Sequence, residues 1–251
     1  MLLTDVLINI GLGLCLGTIG GLFGIGGGLV AIPMLGLLFG LDQHLAQGTA
    51  LVMVVPNVML ALWRYNQRNR INWRWAGVLA LAGFCWALVG ANVAANLSNE
   101  VMRYLFVGFL LALVLYNGWR LYRPSPAELG AQPAPSARQL ALLGTFSGIA
   151  GGLFGVGGAV IATPVLTSVF GLSQVVAQGL SLAMALPSTG VTLATFAAHG
   201  QVDWGMGLAL SCGGLLSISW GVRIAHALPD KLLRSLFCGF LLACSVGLLL
   251  Q

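Results

Sequence analysis

Gly20-Gly-Leu-Phe-Gly-Ile-Gly-Gly-Gly-Leu-Val-Ala-Ile-Pro33 sets a run of glycines inside apolar sequence, and the pattern returns as Gly151-Gly-Leu-Phe-Gly-Val-Gly-Gly-Ala-Val-Ile-Ala-Thr-Pro164. Each glycine inside a helix costs about 1 kcal/mol relative to alanine. Gly24, Gly26, Gly27 and Gly28 together therefore predict a broken helix. Glycine also accepts positive φ and lets another group come close to the main chain, the two properties a binding loop needs. Downstream, Pro33 and Pro164 each withdraw one backbone donor.

Around these segments the 251 residues are 58% hydrophobic and only 7% charged, too little polar surface to clothe a water-soluble globule. The stretches Leu45 to Trp63, Ala76 to Asn99, Tyr104 to Trp119, Val176 to Ala198, Trp204 to Val222 and Leu236 to Leu250 carry no charge. Helical spans need ~20 such residues, whereas barrel strands would show ten-residue alternation. The expected class is an all-α integral membrane protein. The net charge of +5 sits mostly in short loops between spans, where cytoplasmic bias explains it better than a nucleic-acid partner. Cys15, Cys85, Cys212, Cys238 and Cys244 fall in apolar segments without a CxxC pair and read as small core residues, not disulfides or metal ligands. Met-Leu-Leu-Thr-Asp5 lacks the basic flank of a cleaved signal peptide and reads as the start of the first membrane helix.

A shift of 131 residues superposes the two halves without a gap. Beyond the glycine segments it pairs Gly40, Gln43, Gln47, Gly48, Met53 and Pro56 with Gly171, Gln174, Gln178, Gly179, Met184 and Pro187, and Arg103 with Arg234. The expected organisation is a first repeat over residues 1–122, a Pro-rich linker over 123–138 and a second repeat over 139–251. Each repeat holds a broken or re-entrant first segment and three further spans, eight to ten membrane segments in all. If the broken segment crosses once, the basic residues split seven against four; if it turns back on itself, the second half is inverted and they split ten against Arg103 alone. The positive-inside rule prefers the second arrangement, with the linker cytoplasmic and both termini periplasmic. The arginines and aromatics of Trp63 to Trp75 then read as a membrane-interface loop rather than an RNA-binding patch.

Inverted repeats with discontinuous helices are an architecture of secondary transporters, with the site near the midplane between repeats. Non-helical backbone at that depth must be buried in protein or line a wet cavity. A free helix N-terminus offers unsatisfied N–H groups and partial positive charge. No Asp or Glu falls mid-span, which argues against a metal-cation carrier or carboxylate proton relay. What remains fits a small anion held by backbone amides and neutral side chains, with no cofactor and no metal. The candidate contacts are Gly24, Gly26, Gly27, Gly28, Gln47, Thr49 and Asn57 in the first half and Gly155, Gly157, Gly158, Gln178, Ser181, Ser188 and Thr189 in the second. Gly26, Gly27, Gly157 and Gly158 are expected to supply amides, and Gln47, Asn57, Gln178 and Ser188 to orient the ligand. Gly13, Gly17, Gly21, Gly144, Gly148 and Gly152, spaced four apart, read as close helix packing. Gln47 and Gln178 read equally as interhelical hydrogen bonds. Gly24-Ile-Gly26 is no dinucleotide fingerprint, since no strand precedes it. His44, His199 and His226 lie near span ends without partners at ligand spacing and read as capping or interfacial residues. A different class, an intramembrane serine hydrolase using Ser181 and His199, requires a nucleophile–base geometry.

The doubled segments, Gly20 to Gly28 with Pro33 and Gly151 to Gly158 with Pro164, resemble the sulfite exporter family, also called TauE/SafE or the toluene sulfonate uptake permease family. The resemblance covers the whole chain except the linker. It implies a bacterial inner-membrane transporter of sulfite, sulfonates or related small sulfur-containing anions. Substrate and direction vary within the family, so another small anion, such as a carboxylate, stays open. So do the coupling ion, with proton coupling through the protonated anion one route, and the oligomeric state. Ala159 in place of Gly28 and Ser188 in place of Asn57 make the half-sites non-equivalent, so that one holds ligand while the other gates.

Overall fold

The computed structural model describes residues 3–68, 70–121 and 135–249, which form ten helices and no strand. Of the predicted linker, only Pro135 to Arg138 fall among the described residues. The first half contributes α1 (Leu3–Phe23), α2 (Gly28–Phe39), α3 (Gln43–Arg68), α4 (Trp73–Asn96) and α5 (Asn99–Leu121). The second contributes α6 (Ala137–Phe154), α7 (Ala159–Ser168), α8 (Gln174–Ala198), α9 (Trp204–Ala227) and α10 (Asp230–Leu249). The helix breaks where the glycines predict, between α1 and α2 and between α6 and α7. Side chains set several starts. The Asn72 side chain accepts from the amides of Arg74 and Trp75 ahead of α4, Asp203 accepts from Met206 ahead of α9, and Ser136 and Gln139 form a reciprocal capping box on α6.

Six helices, α1, α3, α4, α5, α8 and α9, are long and apolar enough to cross a membrane. Their outward faces are apolar, with Leu81, Trp86 and Val93 on α4, Leu105 and Leu115 on α5, and Leu216 and Trp220 on α9 exposed. This is a multi-pass membrane protein. By contrast α2 has 12 residues and rises roughly 18 Å, well short of the ~30 Å hydrocarbon core. Its first residue, Gly28, sits beside Val54 near the middle of α3, and its last turn leads directly to the start of α3. Segment α1–α2 is thus a hairpin whose tip lies beside the middle of α3.

The halves exchange their first helices: α1 packs on α9 and α6 on α4. Glycine stripes make this possible, because lipid supplies no hydrophobic drive between helices and close backbone approach must replace it. A Cβ at Gly13, Gly17 or Gly21 would lie 2.2 Å from the Leu210 carbonyl, 2.5 Å from Gly214 Cα or 2.4 Å from the Ile218 carbonyl. Both numberings ascend together, so α1 and α9 run parallel. Gly144, Gly148 and Gly152 meet Leu79, Gly83 and Ala87 in the same way on α4. In the centre α3 and α8 run antiparallel, with Tyr65 beside Gln178 at one end and His44 facing Phe196 at the other.

Two sequence expectations need correction. Of the interface loop only residues 70–72 are described outside a helix, because α3 continues through Arg68 and α4 begins at Trp73, and Tyr65 is buried rather than interfacial; Trp63 and Trp73 are exposed as expected. Among the cysteines, Cys15, Cys85 and Cys212 face outward and only Cys244 is buried, since thiols on apolar helices tolerate a lipid-facing position.

Candidate functional site

The two hairpin tips meet in the middle of the molecule. Each tip takes three left-handed residues: Gly24, Gly26 and Gly27 at φ 65°, 69° and 94°, and Gly155, Gly157 and Gly158 at 69°, 69° and 74°. This conformation penalises any side chain, so six of the seven predicted loop glycines have a backbone reason. Gly28 does not have positive φ, and the second half accordingly carries Ala159 there. Hydrogen bonds from Ile25 N to the Gly20 carbonyl (3.1 Å) and from Val156 N to the Gly151 carbonyl (3.2 Å) close the tips. A Cβ on Gly28 would lie 3.4 Å from the Gly155 carbonyl, so the tips touch.

The amides of Gly27 and Gly28, and of Gly158 and Ala159, have no acceptor among the described residues. They are the first donors of α2 and α7 and carry the positive ends of those helices. Gly157 N is engaged by the Gly151 carbonyl at 3.4 Å, so it serves loop closure instead of pointing at a ligand.

A glutamine from the opposite half packs on each tip: Gln178 against Gly24 and Gln47 against Gly155. Their situations differ. Gln178 Nε2 donates to the Phe23 carbonyl (3.2 Å), and its Oε1 accepts from the Tyr65 hydroxyl (2.8 Å). At the position matching Tyr65 the second half has Phe196, which brings no hydroxyl. Gln47 is 0% exposed, and neither of its amide atoms has a partner among the described residues. An unpaired buried polar group costs about 1–3 kcal/mol. An amide offering donor and acceptor together is thus held buried and unpaired against the second tip.

The other predicted contacts separate into two groups. Asn57 is fully buried; its Nδ2 donates to the Gly26 carbonyl at 3.4 Å and its Oδ1 is unpartnered. The Ser181 hydroxyl, on α8 one turn from Gln178, is also buried and unpartnered. These two and Gln47 are the unsatisfied groups among the predicted contacts, with Asn57 ten residues, roughly 15 Å, along α3 from Gln47. The remainder are satisfied locally. Thr49 Oγ1 accepts from Asp203 N (3.0 Å) at the connection before α9, Ser188 Oγ donates to the Met184 carbonyl (3.0 Å), and Thr189 Oγ1 donates to the Ala185 carbonyl (2.8 Å). Thr189 turns its methyl to Gly157, as Val58 does to Gly26. Sequence reasoning missed Tyr65 and Ser147, whose buried hydroxyl is also unpartnered. The repeat alignment held the signal for the first, since it sets Tyr65 against Phe196 and puts a hydroxyl on one side only.

Ser181 and His199 lie on one helix, 18 residues or roughly 27 Å apart, and His199 Nδ1 bonds the Thr195 carbonyl. This separation rules out the hydrolase pair. His44 joins Asn99 and the Ala94 carbonyl at the α4–α5 corner, a structural bracket.

The model of the family described as "Sulfite exporter TauE/SafE" matches residues 9–248, nearly the whole chain and both hairpins. The chain belongs to this family. Relatives named "Probable membrane transporter protein" include one from Xylella fastidiosa strain 9a5c, 29% identical over 228 residues that cover 90% of this chain and 87% of the relative. A second, from Methanocaldococcus jannaschii, is 25% identical over 258 residues, covering 96% of this chain and 93% of the relative. A third, from Bacillus subtilis strain 168, is 25% identical with 94% and 96% covered. As a TauE/SafE member the protein is a membrane transporter, and the opposed tips are the candidate site of that transport.

Proposed function

We propose that this TauE/SafE protein is a secondary transporter, not an enzyme, of a small sulfur-containing oxyanion such as sulfite or a sulfonate. It works by alternating access between two inverted repeats in the bacterial inner membrane. The observation that carries the reading is Gln47, a buried amide with both atoms unpaired, beside helix N-termini whose first donors are free. Free helix N-termini select negative charge without a cation. Gln47 offers one donor group and one acceptor, so hydrogen sulfite satisfies both and carries its proton along, whereas a sulfonate, which holds no proton, engages the donor alone. Asn57 and Ser181 offer further unpaired groups farther toward the linker end, while Gln178, already bonded to Tyr65 and Phe23, holds the opposite tip in place and acts in gating.

The antiparallel course of α3 and α8 supports the inversion, and so does the charge at the two ends. Asp5, Asp42, Glu100 and Asp203 belong with Arg103 to the end where α3 begins, whereas Arg64, Arg70, Arg74, Arg138 and Arg223 belong to the linker end. Positive-inside bias then makes the linker cytoplasmic.

Purified protein should be thermally stabilised by sulfite, thiosulfate or a sulfonate, since a ligand of the folded state raises its stability by mass action. Reconstituted vesicles should take up the same anion. Stabilisation and uptake by carboxylates alone, or by none of these anions, would overturn the substrate assignment.

A further inference from the structure

We propose that a cavity between α3 and α9, on the linker side of the first hairpin, is an oxyanion vestibule in which Arg64 and Arg223 hold the anion about two helical turns from the glycine tips. Its role in transport rests on the reading above; binding of an oxyanion there does not. The cavity measures about 200 Å³ and is lined by Arg64, Gln67, Ser219, Val222 and Arg223. That is room for an oxyanion with some of its water. Two guanidiniums line it with no carboxylate, and guanidinium groups only donate. Arg64 Nε is buried and unpartnered, while its guanidinium carbon sits 4.7 Å from the centre of the Trp63 ring, which fixes the group in place.

The fold explains why the cavity exists. Helix α1 stops at Phe23, so beyond the first tip no re-entrant helix fills the space between α3 and α9. Val222, a wall of the cavity, lies against Gly21 of α1, and Arg64 follows Val58, which packs on Gly26, by six residues, roughly 9 Å. The vestibule therefore opens about two helical turns from the site. The repeat supplies a built-in contrast. The positions matching Arg64 and Arg223 are Thr195 and Asn92, whose side chains bond the Val191 and Leu88 carbonyls of their own helices. The linker-side cavity sets two guanidiniums without a carboxylate, whereas the cavity at the end where α3 begins sets Arg103 beside Asp42 and Glu100, so the anion is concentrated on the linker side.

The test uses the full chain in nanodiscs of phosphatidylcholine, titrated with sodium sulfite against sodium gluconate of equal ionic strength, with thermal unfolding as readout. Gln47→Leu, which removes the central amide, should retain a sulfite response. In that background Arg64→Gln with Arg223→Gln should raise the half-saturating concentration by about tenfold or more, tenfold being the size expected when a single charge-assisted contact is lost. The matching double lysine variant should recover part of the shift, which separates lost binding from a misfolded chain. An unchanged midpoint in the glutamine pair overturns the proposal. A sulfite response abolished by added phosphatidylglycerol, which itself protects only when both arginines are present, makes the occupant a lipid phosphate and overturns the transport role. In vesicles, the same pair should raise the KM for uptake from the linker side about tenfold and from the opposite side less than twofold. If the wild type binds sulfite through the arginines but moves no anion, the transporter reading fails and the vestibule stands.

Discussion

The two tip glutamines share a position in the repeat but differ in what surrounds them, and substitution should expose that difference. Gln178→Leu breaks bonds to Tyr65 and Phe23 and should lower stability by about 1–3 kcal/mol. Gln47→Leu removes a group without partners, so the protein should unfold at the same or a higher temperature while losing transport. Equal destabilisation by the two changes, or normal flux in Gln47→Leu, would remove Gln47 from the site. The glycines divide similarly. At Gly158 a Cβ would sit 2.2 Å from the Ser147 carbonyl with φ at 74°, so Gly158→Ala should leave little monodisperse protein on a sizing column. At Gly28 φ is ordinary and the nearest atom is a Val54 methyl at 2.9 Å. Gly28→Ala should therefore fold, at a cost of about 1 kcal/mol. Within the tip loops, comparing halves already separated Gly28, the one loop glycine that changes, from the three that take positive φ. The unpaired state of Gln47 was not readable in this way, because it arises from a residue 149 positions away that lacks one oxygen.

Among the helices, what matters is which pairs pack backbone to backbone. The stripes on α1 and α6 announce tight packing in the sequence, yet their partners are fourth helices of the opposite half, a pairing that spacing cannot choose among several small-residue faces. Once paired, the fit has no slack. Gly17→Leu and Gly148→Leu should each separate an α1–α9 or α6–α4 seam and sharply reduce the yield of folded protein, since Gly17 meets Gly214 and Gly148 meets Gly83 within 2.5 Å of a notional Cβ. Gly108→Ala and Gly118→Ala, at positions with nothing within 4 Å, should leave yield and unfolding temperature unchanged or slightly raised. If all four substitutions behave alike, the seams do not hold the repeats together. The short lengths of α2 and α7 were hidden for a related reason. Pro33 and Pro164 lie inside these helices instead of ending them, and what stops α2 is Gly40 at φ 64°.

For the molecule as a whole, the duplication carried most of the information. It pointed to two equal sets of segments, eight to ten in all, and the count of basic residues favoured one parity. That parity has a consequence that a four-span half does not share. A re-entrant first segment leaves three crossings per half, so the linker must lie on the membrane face opposite both termini, and the α1–α2 and α6–α7 tips must approach mid-depth from opposite sides. Four crossings per half would put linker and termini on one face. Reporters active only in the cytoplasm or only in the periplasm, fused in separate experiments after Ala131 and after Gln251, distinguish these outcomes directly. The linker fusion should report cytoplasm and the C-terminal fusion periplasm. Matching reports from the two positions would refute the re-entrant hairpins, and with them the opposed approach of two helix N-termini on which the proposed anion site depends. Opposite reports with the sides exchanged would keep the site but reverse the vestibule, so that Arg64 and Arg223 would face the periplasm.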